Sequence, residues 1–228
     1  MLKVEPAHDY PPEEGRYLRG NDYAPAAVVV TLIYNQEDIP PDIANLVRVG
    51  VESGAALSGT LQTENIGVEK LICNIVANPN IRYLVLCGPE SPGHQCGEAL
   101  EMLLANGVDE RRRIVGAQAR TPYLFNLPAE YIARFRQQIR LVNLLNEGDP
   151  IVLREGVRSC YQETPTVFRG QTLYDPGAYP EPPLSGRLTW RVTKPQAEPK
   201  DETERQQRER FRELMTRIKQ ASQAKRTK

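Results

Sequence analysis

A chain of 228 residues, 40% of them apolar, is long enough for one medium domain with an extension or for two small ones. Its 29 basic and 29 acidic residues cancel, so no global basic field favours a nucleic-acid partner. No apolar run approaches the length of a membrane span, and the opening MLKVEPAHDYPPEEGRYLRG lacks the apolar centre of an export signal.

Residues 1–25, rich in proline, glycine and charge, read as an N-terminal extension. The fold proper is expected to start near Ala26, where PAAVVVTLIY is an apolar run short enough for a buried strand. Behind Pro40-Pro41, the residues Ile43, Leu46, Val47 and Val51 recur at helical spacing, and Gly54 suits an end. AALSGTLQTEN follows as a short strand or extended loop. Thr63 is a good N-cap with Glu64 in the first turn, and Val68, Leu71, Ile72, Ile75 and Val76 form a helical stripe halted at Asn78-Pro79.

RYLVLC (82–87) is a continuous apolar strand of the kind covered on both faces in a parallel sheet. EALEMLLANG places Leu100, Leu103 and Leu104 on one helical face, with Gly107 as its C-terminal cap. RIVGA (113–117) reads as a short strand, and a helix from Pro128 carries Ile132, Phe135, Ile139 and Val142 in register. This alternation predicts a three-layer α/β sandwich over 26–149 with a mostly parallel sheet, its ligand crevice beyond the C-terminal strand ends. After Asp149, the runs IVLREGV, TPTVF and GRLTWRVT predict a small β-rich appendage over 150–195. The stretch 201–228, with nine basic and five acidic residues, sets Phe211, Leu214, Met215 and Ile218 at helical spacing and reads as a charged amphipathic helix. Packing back on its own domain is the default for that face; self-association and pairing with a partner are the rivals.

One of only two histidines, His94, falls seven residues after a central strand, between Gly93 and Gly97. Glycines there would admit a bulky flat group, and a helix opening at Gly97 would offer N–H groups to a ligand. The plain alternative is a loop histidine bonded to a carbonyl. Hydrolase chemistry is disfavoured, because no GxSxG elbow occurs and His8 is remote in the extension. Zinc could use Cys87, His94 and Cys96, with Cys73 or Glu90 as a fourth ligand, although the spacing fits no common zinc pattern. A GxGxxG phosphate loop is absent. What remains is one axial bond to a metal that brings its other ligands in a macrocycle, as haem and corrinoids do. Four cysteines without a CxxC pair favour a reducing, cytoplasmic setting.

The segments YPPEEGRYLRGNDYAPAAVVVTL (10–32), TENIGVEKLICNIVANPNIRYLVLCGPESPGHQCGEAL (63–100), NGV (106–108), IVGA (114–117) and AEYIARFRQQI (129–139) together resemble the A subunit of tetrahydromethanopterin S-methyltransferase over residues 10–150. That family places a corrinoid on a Rossmann-like domain, with cobalt bound by the histidine of a G-x-E-x-x-G-H-x-T-G loop. The loop here runs Gly88-Pro-Glu-Ser-Pro-Gly-His-Gln-Cys-Gly97, so the resemblance implies that His94 is the cobalt ligand. It further implies a cobalamin-type corrinoid cofactor, a methyl-carrier role fed by a tetrahydropterin-type donor, and partner methyltransferase subunits that load and unload the methyl group.

Cofactor contacts are then expected from Gly88, Glu90, Gly93, Cys96 and Gly97, from Thr63, Glu64, Asn65 and Gly67 of the T-E-N-x-G run, and from the small residues Gly116 and Ala117. Glu90 is the expected orienter of the imidazole. Helix capping by Thr63 to Gly67 and tight turns at Gly88, Gly116 and Ala117 are the structural alternatives. Cys96 and Pro92 replace the family's threonine and lysine. The family's membrane subunits end in a transmembrane helix, whereas 201–228 is charged, so the resemblance points to its soluble homologues. Two rivals stand beside the carrier: a scaffold of the same fold that binds no corrinoid, and the zinc site.

Overall fold

β-Branched residues at Ala26–Thr31 and apolar ones at Tyr83–Gly88 make strands buried along their whole length, since both faces of each are covered. The computed structural model describes residues 2–33, 38–189 and, within 201–210, all but 204 and 208. Its chain divides into Met1–Arg191 and Val192–Lys228.

In the first unit the elements run β1 (Tyr17–Arg19), β2 (Ala26–Thr31), α1 (Pro41–Glu52), β3 (Leu57–Leu61), α2 (Ile66–Val76), β4 (Tyr83–Gly88), α3 (Cys96–Asn106), α4 (Ala129–Gln138), β5 (Arg140–Leu145), α5 (Pro150–Ser159), β6 (Thr166–Phe168) and β7 (Gln171–Leu173). Five strands form one sheet in the order β1-β3-β2-β4-β5, parallel except for the edge strand β1. The pleat divides each central strand between two cores. Ala27, Val29, Leu84 and Leu86 pack with Val68 and Ile72 of α2, Leu100 of α3 and Phe135 of α4. Val28, Val30, Val85 and Cys87 pack with Leu46 of α1 and Leu153 of α5 on the other face. The result is the expected three-layer, Rossmann-like sandwich.

Strand order fixes where a ligand can enter. From β2 the chain moves outward through α1 to β3, then returns through α2 to β4 on the opposite side of β2. The crevice between the C-terminal ends of β2 and β4 is therefore the topological switch point, where open α/β sheets bind ligands. The segment leaving β4 there is 89–95, which carries His94.

Several expectations need correction. The stretch read as an extension supplies β1, which pairs antiparallel with β3, and buries Tyr10 in the core, so the sheet begins at Tyr17. A three-residue edge strand leaves too short an alternation to read. RIVGA makes only isolated bridges, Val108 with Ile114 and Arg113 with Tyr123. The helix from Pro128 stops at Gln138, because Ile139 is already extended, and Val142 belongs to β5. IVLREGV is the helix α5: Pro150 opens it and the Asp149 carboxylate accepts the Ile151 N–H as N-cap. Among the described residues, the region after Asp149 thus holds a helix and one hairpin, β6–β7; Gly186 to Thr189 are not in a strand, and the rest of GRLTWRVT, 190–193, lies outside the described residues. In the second unit, the described residues of 202–210 are helical and exposed. The stripe Phe211, Leu214, Met215 and Ile218 lies outside the described residues.

Gln138 locks α4 to the α2–β4 turn. Its buried amide donates to the carbonyls of Asn78 and Ile81 at 3.0 and 2.9 Å, and its oxygen accepts from Arg134 Nε at 3.0 Å. Replacing it by methionine conserves bulk and strands those partners at about 1–3 kcal/mol for each unsatisfied group. Urea unfolding of Gln138→Met is expected to show a loss of about 3 kcal/mol; a change below about 1 kcal/mol would mean that water replaces the amide.

Candidate functional site

His94 lies in a turn ahead of α3, its side chain 26% exposed. Gly93 before it has φ +83°, and a Cβ added there would meet nothing within 4 Å, so the backbone of the turn borders open space at Gly93. Nδ1 of His94 is 2.6 Å from Oε2 of Glu64, whose side chain is fully buried. The other oxygen, Oε1, accepts from the Thr121 backbone N–H at 2.9 Å and from its hydroxyl at 2.8 Å. Burial works to raise the Glu64 pKa, but the hydrogen bonds from His94 and Thr121 outweigh it and hold the carboxyl below its ordinary value. An ionised carboxylate only accepts hydrogen bonds, so Nδ1 carries a proton, and whenever the ring is neutral its lone pair is on Nε2.

Three chain segments therefore meet at one carboxylate. Glu64 comes from the turn after β3, His94 from the loop after β4, and Thr121 from the long connection between α3 and α4. Asn65 adds a second tie: its side chain caps α2 by accepting the Ile66 N–H and donates to the Thr121 hydroxyl at 3.2 Å. Further along that connection, buried Glu69 accepts from the backbone and side-chain N–H groups of Asn126, both at 2.7 Å.

Glu90, the expected orienter of the imidazole, does something else. One of its oxygens accepts from the Ser91 and Gly97 N–H groups and the other from the Glu98 N–H, which caps α3. Gln95, at the N-cap position in a left-handed conformation, makes no side-chain cap bond, so Glu90 takes that duty. The N–H groups of Gly97 and Glu98 are thereby used within the protein rather than offered to a ligand.

Gly97 is small for packing reasons, since a Cβ there would lie 2.5 Å from Leu145 Cδ1. At the end of β4, Val30 and the Thr31 backbone leave Gly88 no room for a side chain. The Thr63 hydroxyl accepts the Gly67 N–H at 2.9 Å, so those two residues cap α2. Gly116 sits against Met102 and Asn106 of α3, and Ala117 is buried, its carbonyl accepting from Arg113. Of the expected contacts, the structure joins Glu64 directly to His94 and Asn65 to Glu64 through Thr121, while Glu90, Cys96 and Gly97 gather at the start of α3.

A zinc site finds no support. Cys87 is fully buried inside β4 and Cys96 is fully buried with its thiol on the Leu61 carbonyl; burial pushes both thiols up to about 12. Neither is a thiolate at neutral pH. Among the described residues, no three His, Cys, Asp or Glu side chains converge as a metal site. The donor set is one oriented imidazole beside an open glycine turn, which fits a metal that arrives with its other ligands in a planar macrocycle. Sequence reasoning missed Thr121, which stands 57 positions from Glu64 with no local pattern to mark it.

The family model describing the A subunit of tetrahydromethanopterin S-methyltransferase matches residues 3–174. Methanothermobacter marburgensis has two such A subunits, numbered 1 and 2, that resemble this chain. The first is 40% identical over 172 residues, 75% of this chain and 68% of that protein. The second is 41% identical over 177 residues, 77% of this chain and 84% of the relative. The corresponding second A subunit from Methanothermobacter thermautotrophicus is 40% identical over 186 residues, covering 81% and 90%. Among the described residues, no helix is long and apolar enough to cross a membrane.

Proposed function

Because the chain belongs to the family of tetrahydromethanopterin S-methyltransferase A subunits, we propose that it is a corrinoid-binding methyl carrier in which Nε2 of His94 would hold the cobalt. The observation that carries this reading is the 2.6 Å contact between Nδ1 of His94 and a buried Glu64 carboxylate, itself anchored on Thr121. Metal-bound imidazoles characteristically donate their other N–H to a carboxylate, which fixes the tautomer and raises ligand basicity. Here that carboxylate is ionised, oriented and shielded before any ligand arrives.

When bound, the corrinoid supplies the cobalt centre that takes up a methyl group and hands it on. The chain's residues do the positioning. Glu64 keeps the proton on Nδ1, Thr121 keeps Glu64 from turning, and Glu90 holds the loop that carries His94 onto α3. Gly93 leaves open space where a side chain would project from the same turn. The relatives are named for a methyl transfer involving tetrahydromethanopterin, and we assign a tetrahydropterin-type donor, with partner methyltransferase subunits loading and unloading the carrier. The four free, buried cysteines accord with work in a reducing cytoplasm.

The test is direct. Purified protein incubated with hydroxocobalamin and desalted is expected to retain the corrinoid in stoichiometric amount with the absorption of an imidazole-ligated form. Protein that emerges colourless would sink the carrier reading and leave the scaffold.

A further inference from the structure

Glu69 is fully buried in the first turn of α2. An apolar side chain of the same bulk would cost less to bury there, since a carboxylate must be stripped of its water. Its two oxygens take the backbone and side-chain N–H groups of Asn126, much as Glu64 takes the backbone N–H and the hydroxyl of Thr121. Burial pushes the Glu69 carboxyl above its ordinary value, and the Asn126 bonds and the opposite charge of Arg112, on the same connection, work against that rise. Two buried carboxylates, one just before α2 and one in its first turn, thus grip a short segment of the connection by both ends.

That segment is stiff. Pro122 fixes a backbone angle, its carbonyl accepts the Ile114 N–H at 2.8 Å, and the Leu124 N–H reaches the Arg112 carbonyl at 2.9 Å. Leu124 and Leu127 anchor it in the same core as α2. A shift at Asn126 is therefore passed on to Thr121 rather than absorbed between them. Glu64 must follow, because Thr121 holds its Oε1 through two bonds, and its Oε2 in turn holds Nδ1 of His94. We propose that Glu69 is a further positioning residue of this site, fixing the direction of the His94 ring through Asn126, Thr121 and Glu64. What the positioned ring binds rests on the carrier reading; that Glu69 positions it does not.

The chain has two histidines, so exposed His8 serves as a reference within the same sample. Imidazole nitrogen NMR on the full chain, before corrinoid is added and at a pH where the rings are neutral, reads both tautomers. Wild type is expected to show His94 in the Nδ1–H form alone and His8 as the mixture of a solvated ring. Glu69→Met keeps the bulk and removes both acceptors: the His94 signals are expected to move toward those of His8, and retention of hydroxocobalamin to weaken by about tenfold. Glu69→Gln is expected to restore both, because its oxygen accepts the Asn126 N–H and the Asn126 amide turns to accept from its nitrogen. Gln138→Met is the control for lost stability and is expected to leave the His94 signals as in wild type. A Glu69→Met protein that melts lower yet keeps the wild-type His94 signals would overturn the assignment, as would a Gln138→Met protein that shifts them equally. So would a Glu69→Gln protein that behaves like Glu69→Met. Should Glu69→Met not fold, Asn126→Ala, at a half-buried position, removes one of the two bonds and is expected to shift the His94 signals the same way; unchanged signals there would overturn the assignment. Wild type that retains no hydroxocobalamin overturns the carrier reading alone, since the imidazole signals are read without it.

Discussion

Replacing His94 by alanine is expected to convert the bound corrinoid from an imidazole-ligated to a water-ligated absorption spectrum and to weaken its retention by about 100-fold or more. Even an outer hydrogen-bonding partner of a metal ligand costs about 10–100-fold when removed, and the ligand itself should cost no less. His94→Ala leaves the fold intact, because the ring is partly exposed and its turn is held by Glu90 and by the Gln95 N–H on the Ser91 carbonyl. Spectrum and stability respond differently: the first changes completely, while the second is expected to fall by about 1–3 kcal/mol, because Oε2 of buried Glu64 loses its partner. An unchanged spectrum in His94→Ala would show that some other group ligates cobalt.

Glu64 tests the orienting carboxylate. In Glu64→Gln an amide replaces it, and an amide nitrogen facing Nδ1–H would set donor against donor. Turned the other way, the amide keeps Nδ1–H but sets its nitrogen against the Thr121 N–H, so one of the two ties is lost in either orientation, and corrinoid affinity is expected to drop by about 10–100-fold with the fold preserved. Glu64→Ala goes further, stranding the Thr121 N–H and hydroxyl, and is expected to cost about 1–3 kcal/mol for each group left without a partner. There is also an acid signature. The folded-state pKa of Glu64 lies below its ordinary value of 4.5, so its contribution to stability is complete above that pH and is lost as pH falls through the depressed value. Thermal melts between about pH 3 and pH 6 should show wild type losing stability more steeply on the acid side than Glu64→Gln; parallel profiles would mean that Glu64 is not ionised in the fold.

The central layers were legible in sequence because their signals are local and strong. A short, β-branched apolar run between turn residues fits a strand covered on both faces, and the stripe from Val68 to Val76 has one periodicity. Legibility failed wherever a neighbour decides. Ile139 and Val142 continue the helical register of α4 on paper, yet β4 offers a parallel partner and the chain turns extended at Ile139. IVLREGV opens with a strand-like apolar run, but its cap and its initial proline make it a helix. The site divides in the same way. His94 stood out through composition and its glycine neighbours, whereas the choice between Glu64 and Glu90 as its partner depended on which carboxylate α3 consumes as a cap. That competition is three-dimensional, and sequence spacing favours the nearer residue, which is the wrong one.

The short edge strand β1 has a consequence for the molecule among copies of itself. Its three residues occupy the outer hydrogen-bonding row of β3, with Tyr17 opposite Gly59 and Arg19 opposite Leu57. A parallel sheet with a bare outer row is a template on which another chain can lay a strand, and growth of that kind leads to aggregates. Here the row is closed by a segment too brief to be a template in its turn, with Arg19 on it paired to Asp22. The N-terminal segment thus acts as a stopper on the β3 side: a few residues end the sheet at that margin, while β5 forms the other.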